Sequence, residues 1–263
     1  MVNRVNILGI PVQVQTMAQA VARIASWIER RAPRYVCVTT VHGVMESQRD
    51  PALKAIHNAA DMVTTDGMPL VWLCRAHGHA AERVYGPDLM LEICAASPMR
   101  GWRHFLYGTT DTVLDKLAAN LQARFPGLCI AGRYAPPFRP LTEQEDAEVV
   151  ERINAARPDI VWIGLSTPKQ ERWMAVHLGR VTAPVMIGVG AAFDFHAGTK
   201  RQAPRWMQRN GLEWLFRLVS EPRRLAYRYL VFNTLFLWLL AQQVLGMRDF
   251  PLAAEPSMRN EPP

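Results

Sequence analysis

Residues 160–190 read IVWIGLSTPKQERWMAVHLGRVTAPVMIGVG. Two apolar runs bracket this stretch, IVWI at 160–163 and VMIGV at 185–189, and a glycine follows each. A strand with one wet face alternates apolar and polar residues. A run without alternation belongs to a strand covered on both faces, as in a parallel sheet flanked by helices. The segment between the runs is long enough for a crossover helix, so the stretch reads as strand, helix, strand.

The same rhythm extends outward. Residues 5–8 read as a short buried strand. Thr16 and Gln19 form a capping box that opens a helix with the apolar stripe Met17, Ala20, Val21, Ile24 and Ile28. A strand over 35–39 follows, then helical pattern over 44–48 and 51–59, a strand over 62–65 ending at Asp66-Gly67, and a helix over 69–77. A second set begins with FLYG at 105–108 and continues with a helix over 111–125, a strand near Cys129 and a helix opened by the capping box Thr142 to Glu145. The alternation across residues 1–195 predicts an α/β fold: a doubly wound, mostly parallel sheet with helices on both faces and a ligand site at the carboxyl ends of its strands. No internal repeat is visible. The expected organisation is a Rossmann-like catalytic domain over 1–199, a basic and apolar helical appendage over 200–249, and a flexible tail over 250–263.

Charge marks the appendage. The whole chain carries +7, and the window 200–228 holds Lys200, Arg201, Arg205, Arg209, Arg217, Arg223, Arg224 and Arg228 against Glu213 and Glu221, leaving the rest of the chain nearly neutral. Residues 229–247 then run without a charge, close to the length that spans a bilayer, but Asn233, Thr234, Gln242 and Gln243 weaken a spanning reading. An arginine cluster followed by an aromatic, leucine-rich helix suits a segment lying in the membrane interface, with burial against the main domain or a second subunit as the alternative. The four cysteines, at 37, 74, 94 and 129, lack C-x-x-C spacing and read as buried reduced thiols of a cytoplasmic protein. No signal-peptide pattern opens the sequence.

Polar residues just after the apolar strands are the candidates for chemistry. They are Thr39 and Thr40, Asp66, Gly108 and Thr109, Gly164 through Gln170, and Gly190 through Asp194. Glycine at a strand end lets backbone approach a ligand, and the helix that follows presents N–H groups to phosphate, which suggests a nucleotide. Neither G-x-G-x-x-G nor a P-loop supports that inference, and a glycine there can equally be a tight turn. Asp66 stands in an Asp-Gly dipeptide, which can also be a turn or a helix cap. Cys74, His77 and His79 lack a fourth ligand at a metal-site spacing and read as ordinary residues. There is no D-x-D to hold a cation on a sugar diphosphate.

Five blocks together resemble the WecG/TagA/CpsF bacterial glycosyltransferases over nearly the whole chain. They are VCVTTVHGVMESQRDPAL (36–53), ADMVTTDGMPLVW (60–72), ERVYGPDLM (82–90), GLSTPKQERWM (164–174) and IGVGAAFDFHAGTKRQAPRWMQRNGLEWLFRLVSEPRRLAYRY (187–229). The resemblance implies inverting transfer from a UDP-sugar donor to a sugar on a polyprenyl diphosphate, without a metal or other cofactor, for cell-surface polysaccharide synthesis. It implies that Asp66 is the general base and that Thr39 lies at the reacting centre. Arg83, Gln170 and Asp194 match pocket residues, and Thr40, His42, Gly108, Gly164, Lys169 and Gly190, at the strand ends, join them as substrate-binding candidates. Arg83 is expected on the diphosphate. The appendage is expected to meet the lipid-linked acceptor at the cytoplasmic face of the inner membrane through Arg217, Arg223, Arg224 and Arg228.

Many relatives carry an asparagine shortly after the position of Thr39. Here Thr40 or His42 is expected in its place, His42 either lining the pocket or serving as a second acid or base. The run resembles the exopolysaccharide branch, which favours UDP-glucose, with N-acetylmannosaminyl transfer as the alternative. The missing G-x-G-x-x-G argues against a dinucleotide oxidoreductase. A basic tail leading into an apolar helix argues against nucleic acid as partner. Self-association stays open.

Overall fold

The computed structural model describes residues 3–253. In chain order the elements begin with β1 (Arg4–Ile7), β2 (Ile10–Gln13), α1 (Met17–Arg30), β3 (Arg34–Thr39), α2 (Val41–Arg49), α3 (Pro51–Ala59), β4 (Met62–Thr65), α4 (Met68–Ala76) and α5 (Gly86–Arg100). They continue with β5 (Arg103–Gly108), α6 (Asp111–Arg124), β6 (Cys129–Tyr134), α7 (Glu143–Ala156), β7 (Ile160–Gly164), α8 (Lys169–His177), β8 (Val185–Gly188) and α9 (Ala192–His196). Then come α10 (Arg205–Arg209), α11 (Glu213–Ser220), α12 (Pro222–Tyr227), a π turn over Arg228–Phe232, and α13 (Asn233–Val244). The six-stranded sheet has the order β4-β3-β8-β7-β5-β6, and the pairs β3·β8, β8·β7, β7·β5 and β5·β6 are parallel. This is the doubly wound α/β architecture that the apolar runs predict.

Two compact units divide the described chain. One comprises residues 3–15, 39–83 and 203–253; the other comprises 16–38 and 84–202.

In the second unit the strand order reverses between β5 and β7. From β5 the chain moves outward to β6, returns to β7 on the other side, and then continues to β8. Such a reversal opens a crevice at the carboxyl ends of the two strands. Beneath it the core is built on Trp162, Tyr107, Phe105 and Phe193, all essentially inaccessible. Among its buried polar groups is His104. Trp162 Nε1 donates to His104 Nδ1 at 2.8 Å, and His104 Nε2 lies 2.8 Å from Ser97 Oγ, which itself donates to the Ile93 carbonyl at 2.6 Å. Burial lowers the His104 pKa to about 3, so the ring is neutral, with Nδ1 accepting and Nε2 donating. The sequence pattern predicts nothing over 86–100. α5 forms there on a buried face of Leu89, Met90, Ile93, Cys94 and Ser97, and Gly101, at φ +67°, ends it. The capping boxes at Thr16 and Thr142 open α1 and α7 as the sequence indicates.

In the first unit β1 does not join the large sheet. It pairs antiparallel with β2 through the turn Leu8-Gly9, both at positive φ (52° and 80°). Side chains bond all four turn backbone groups. Gln243 Oε1 accepts from Leu8 N (2.9 Å), Gln48 Nε2 donates to Leu8 O (2.8 Å), Asn6 Oδ1 accepts from Gly9 N (2.7 Å), and Asn58 Nδ2 donates to Gly9 O (2.9 Å). Gln243 also donates to the Asn6 carbonyl at 2.9 Å, so the end of α13 is bound to this hairpin. Phe232, Phe236 and Leu239 are buried along the same segment, whereas Leu230, Leu237 and Trp238 are exposed. Residues 229–244 thus form a half-packed helical segment, a π turn followed by α13. Among the described residues no helix is long and apolar enough to cross a membrane. Of the expected tail, Phe250 is buried and its carbonyl accepts from Asn6 Nδ2; residues 254–263 lie outside the described residues.

No disulfide joins any of the four cysteines. Cys37, Cys74 and Cys94 are buried and Cys129 is half-buried. Burial raises the pKa of Cys74 to about 11 and that of Cys94 to about 12, so both are protonated at neutral pH.

Candidate active site

The predicted site residues fall into two groups, one in each unit. In the first unit, β3 ends at Thr39, which is 2% exposed, and β4 ends one residue before Asp66. The Asp66 N–H donates to the Thr39 carbonyl at 3.0 Å, so the two strand ends are tied at these two residues. Gly67 is the N-cap residue of α4. Arg83 arrives from the loop before α5; its Nε donates to the Asp66 carbonyl and its Nη2 to Glu213 Oε2 at 2.7 Å. The Arg83 and Glu213 side chains are 16% and 14% exposed, so this is a largely desolvated ion pair. Asp66 is therefore held through its backbone on both sides, by Thr39 and by Arg83. Glu213, at the start of α11, enters the sequence reading only as one of two acidic residues in the basic window. Nothing in its local pattern points to Arg83, 130 residues earlier.

Thr40 is the N-cap residue of α2, without a side-chain capping bond, and is half-buried. His42 lies in the first turn of α2. Its Nε2 is 3.4 Å from Glu46 Oε1 and its ring is 5.7 Å from that of Phe232. The Arg49 guanidinium stands 5.8 Å from the same Phe232 ring, so one aromatic joins α2 to the π turn. Of the appendage arginines, Arg217 is half-buried on α11 and Arg223 is exposed on α12. Arg224 and Arg228 belong to α12 and the π turn; their side chains lie outside the described set.

In the second unit, Gly108 and Gly164 are register partners at the ends of β5 and β7. Gly108 adopts φ +131°, and a Cβ on it would lie 2.7 Å from the Gly164 backbone. A Cβ on Gly164 would lie 2.3 Å from the Phe193 ring, so that glycine makes room for an aromatic of α9. Gly190, at φ +50°, turns the chain from β8 toward α9. Lys169 is exposed at the start of α8, while the next residue, Gln170, is 3% exposed. Gln170 lies over Gly188, whose Cβ would come within 3.1 Å of its Cδ. Asp194 binds its own loop, with Oδ2 3.1 Å from Lys200 Nζ and Oδ1 accepting from Thr199 Oγ1 at 3.2 Å.

Two further features of this unit escape the sequence reading. One is an aromatic stack at the end of β5. Tyr107 lies 4.4 Å from Trp173 and 6.1 Å from Tyr134, and Trp173 lies 4.0 Å from His177, centroid to centroid. Burial, with Asp146 and Tyr134 adding to it, pushes the Tyr107 phenol well above its usual range. The second is Glu171, next to Gln170 in the quoted PKQE and 1% exposed.

Parallel strands with glycines at the reversal point, and a carboxylate-bearing residue held by its backbone at neighbouring strand ends, define a doubly wound α/β protein with its polar groups at the strands' carboxyl ends. The chain belongs to the WecG/TagA/CpsF family of glycosyl transferases, whose pattern matches residues 5–249. It is similar to the N-acetylglucosaminyldiphosphoundecaprenol N-acetyl-beta-D-mannosaminyltransferase of Staphylococcus aureus strain MW2, 28% identical over 225 residues that cover 84% of this chain and 87% of the relative. Enzymes of the same description from strains NCTC 8325 / PS 47 and MRSA252 match with the same identity and coverage. The protein is a glycosyltransferase.

Proposed function

We propose that the protein transfers an N-acetylmannosaminyl-type sugar, with inversion, from a UDP-sugar to a sugar carried on a polyprenyl diphosphate. The acceptor class rests on the staphylococcal relatives, described as acting on N-acetylglucosaminyldiphosphoundecaprenol. The same descriptions favour an N-acetylated donor. The expectation of UDP-glucose finds no support among them and gives way to its alternative.

The observation that carries the catalytic assignment is the position of Asp66, held through its backbone to Thr39 and Arg83 where β4 ends. In the proposed step the acceptor hydroxyl oxygen attacks the anomeric carbon, the bond from that carbon to the UDP oxygen breaks, and UDP leaves with the electron pair. Asp66 takes the hydroxyl proton. Thr39 supports the loop that carries it. Arg83 reaches a diphosphate by exchanging the carboxylate of Glu213, so donor binding and α11 are coupled through one guanidinium. In the second unit Gln170, Gly190 and Asp194 are assigned to the donor.

The appendage works at the cytoplasmic membrane surface as a peripheral contact. Its exposed Trp214, Val219, Tyr227, Leu237 and Trp238 supply interfacial side chains, and Arg217 and Arg223 supply charge for anionic head groups. UDP release from a panel of UDP-sugars, with and without a polyprenyl-diphosphate-linked sugar, tests the whole reading. Acceptor-dependent release that is greatest with an N-acetylated donor and lost in a folded Asp66→Asn variant is the expected result. Release that persists in the variant would remove Asp66 as the base.

A further inference from the structure

Two consecutive polar residues open α8 in a buried position, Gln170 at 3% exposure and Glu171 at 1%. Gln and Glu side chains are mostly exposed in folded proteins, so two buried in succession call for an explanation. Their bonds are few. Glu171 Oε1 accepts from Thr167 Oγ1 at 2.9 Å and from Gln170 Nε2 at 3.1 Å. Glu171 Oε2 and Gln170 Oε1 are both buried without a hydrogen-bond partner.

The pairing decides which way the Gln170 amide faces. A carboxylate offers only acceptors, so the amide must turn its NH2 toward Glu171 and its carbonyl oxygen away. That oxygen lies 3.5 Å from where a Cβ on Gly190 would stand, beside the turn that follows β8. The stem of Gln170 fills the space over Gly188, where a Cβ would come within 3.2 Å of its Cγ. The side chain is thus positioned by the glycines and oriented by Glu171, and it presents a bare acceptor at the carboxyl end of the sheet. An acceptor buried in this way is unfavourable unless a donor meets it.

We infer that Glu171 is a positioning residue for donor recognition: it locks the Gln170 amide so that Gln170 Oε1 accepts a hydrogen bond from an N–H or O–H of the bound nucleotide sugar. The inference rests on the proposed UDP-sugar reading. Glu171 is assigned no ligand contact of its own, only the hold on the Gln170 amide. Thr167 Oγ1 donates to the same Glu171 oxygen, Oε1, so the chain of contacts runs Thr167, Glu171, Gln170, ligand.

Calorimetric titration of the full chain with UDP and with a UDP-N-acetylhexosamine tests this, using Glu171→Gln, Gln170→Ala and the double variant, each checked for an unchanged thermal transition. An amide at 171 can donate to the Gln170 carbonyl and let it turn away, so Glu171→Gln is expected to weaken binding about tenfold, as Gln170→Ala does. The double variant is expected to bind no worse than Gln170→Ala alone, since Glu171 acts only through that amide. The exchanged pair Gln170→Glu/Glu171→Gln keeps an acceptor at 170 and a donor at 171, and is expected to regain most of the affinity. A loss seen equally with UDP places the ligand's donor group on the nucleotide; a loss seen only with the sugar nucleotide places it on the sugar. Unchanged affinity in Glu171→Gln, or losses that multiply in the double variant, would overturn the inference alone. A wild type that binds no UDP compound would overturn the donor reading first and this inference with it.

Discussion

A methyl group on Gly164 would have to occupy the space of the Phe193 ring, 2.3 Å from its Cδ2. Gly164→Ala is therefore expected to destabilise the fold by about 2 kcal/mol through displacement of that ring, measured by urea denaturation. Arg83 and Glu213 pose a different problem, since each neutralises the other in a poorly solvated place. Removing the carboxylate in Glu213→Ala strands a guanidinium, and a loss of about 2–3 kcal/mol is expected. The double change Arg83→Ala/Glu213→Ala should lose less than the sum of the two single changes. An additive pair in denaturant titrations would show that the two side chains do not depend on one another. His104 sets a pH dependence. Its folded pKa, about 3, lies below the ordinary value of 6.5, so the unfolded chain binds the extra proton first as pH falls. The contribution is complete above about pH 6.5 and declines by about 1.4 kcal/mol per pH unit down toward pH 3. Burial lowers His196 as well, against its bond to the Pro87 carbonyl, and adds in the same direction. Denaturation midpoints at pH 7, 6 and 5 check this, and a folded His104→Gln variant should show a shallower slope.

Among the elements, α13 is defined less by its apolar composition than by one amide. Gln243 accepts from Leu8 N and donates to the Asn6 carbonyl, closing the helix end onto the β1–β2 turn. Gln243→Leu keeps the bulk and loses both bonds, leaving Leu8 N without this acceptor at a strained turn position. A loss of about 1–3 kcal/mol is expected, along with faster proteolysis near residues 244–250. Proteolytic rates equal to wild type would show that the clamp does not hold the segment.

For the whole molecule, the net charge of +7 sits almost entirely in the window 200–228, and the uncharged run that follows it leaves Leu237 and Trp238 exposed. These residues lie on the face of α13 away from the buried Phe236 and Leu239. Leu237→Glu/Trp238→Glu is expected to reduce co-sedimentation with anionic vesicles severalfold while the thermal transition stays within a degree or two. Binding that is undiminished would move the membrane contact elsewhere, and a lowered transition would mean that the face packs against protein.

Much of this was open to reading along the chain, because the signals are local. Continuous apolar runs at 160–163 and 185–189 announce strands covered on both faces, capping boxes at Thr16 and Thr142 start helices, and polar residues after each run mark where strands end. The family blocks identified the glycosyltransferase for the same reason, being contiguous in sequence. What tertiary structure decided is what depends on pairs distant along the chain. The residues 5–8 become a hairpin rather than a sheet strand because Gln48, Asn58 and Gln243 arrive to satisfy its turn. Arg83 faces Glu213 rather than open solvent because α11 returns to it. Gln170 is turned by Glu171, its sequence neighbour, yet burial alone makes that contact matter: in water either amide orientation would find partners, and only the packed interior leaves one.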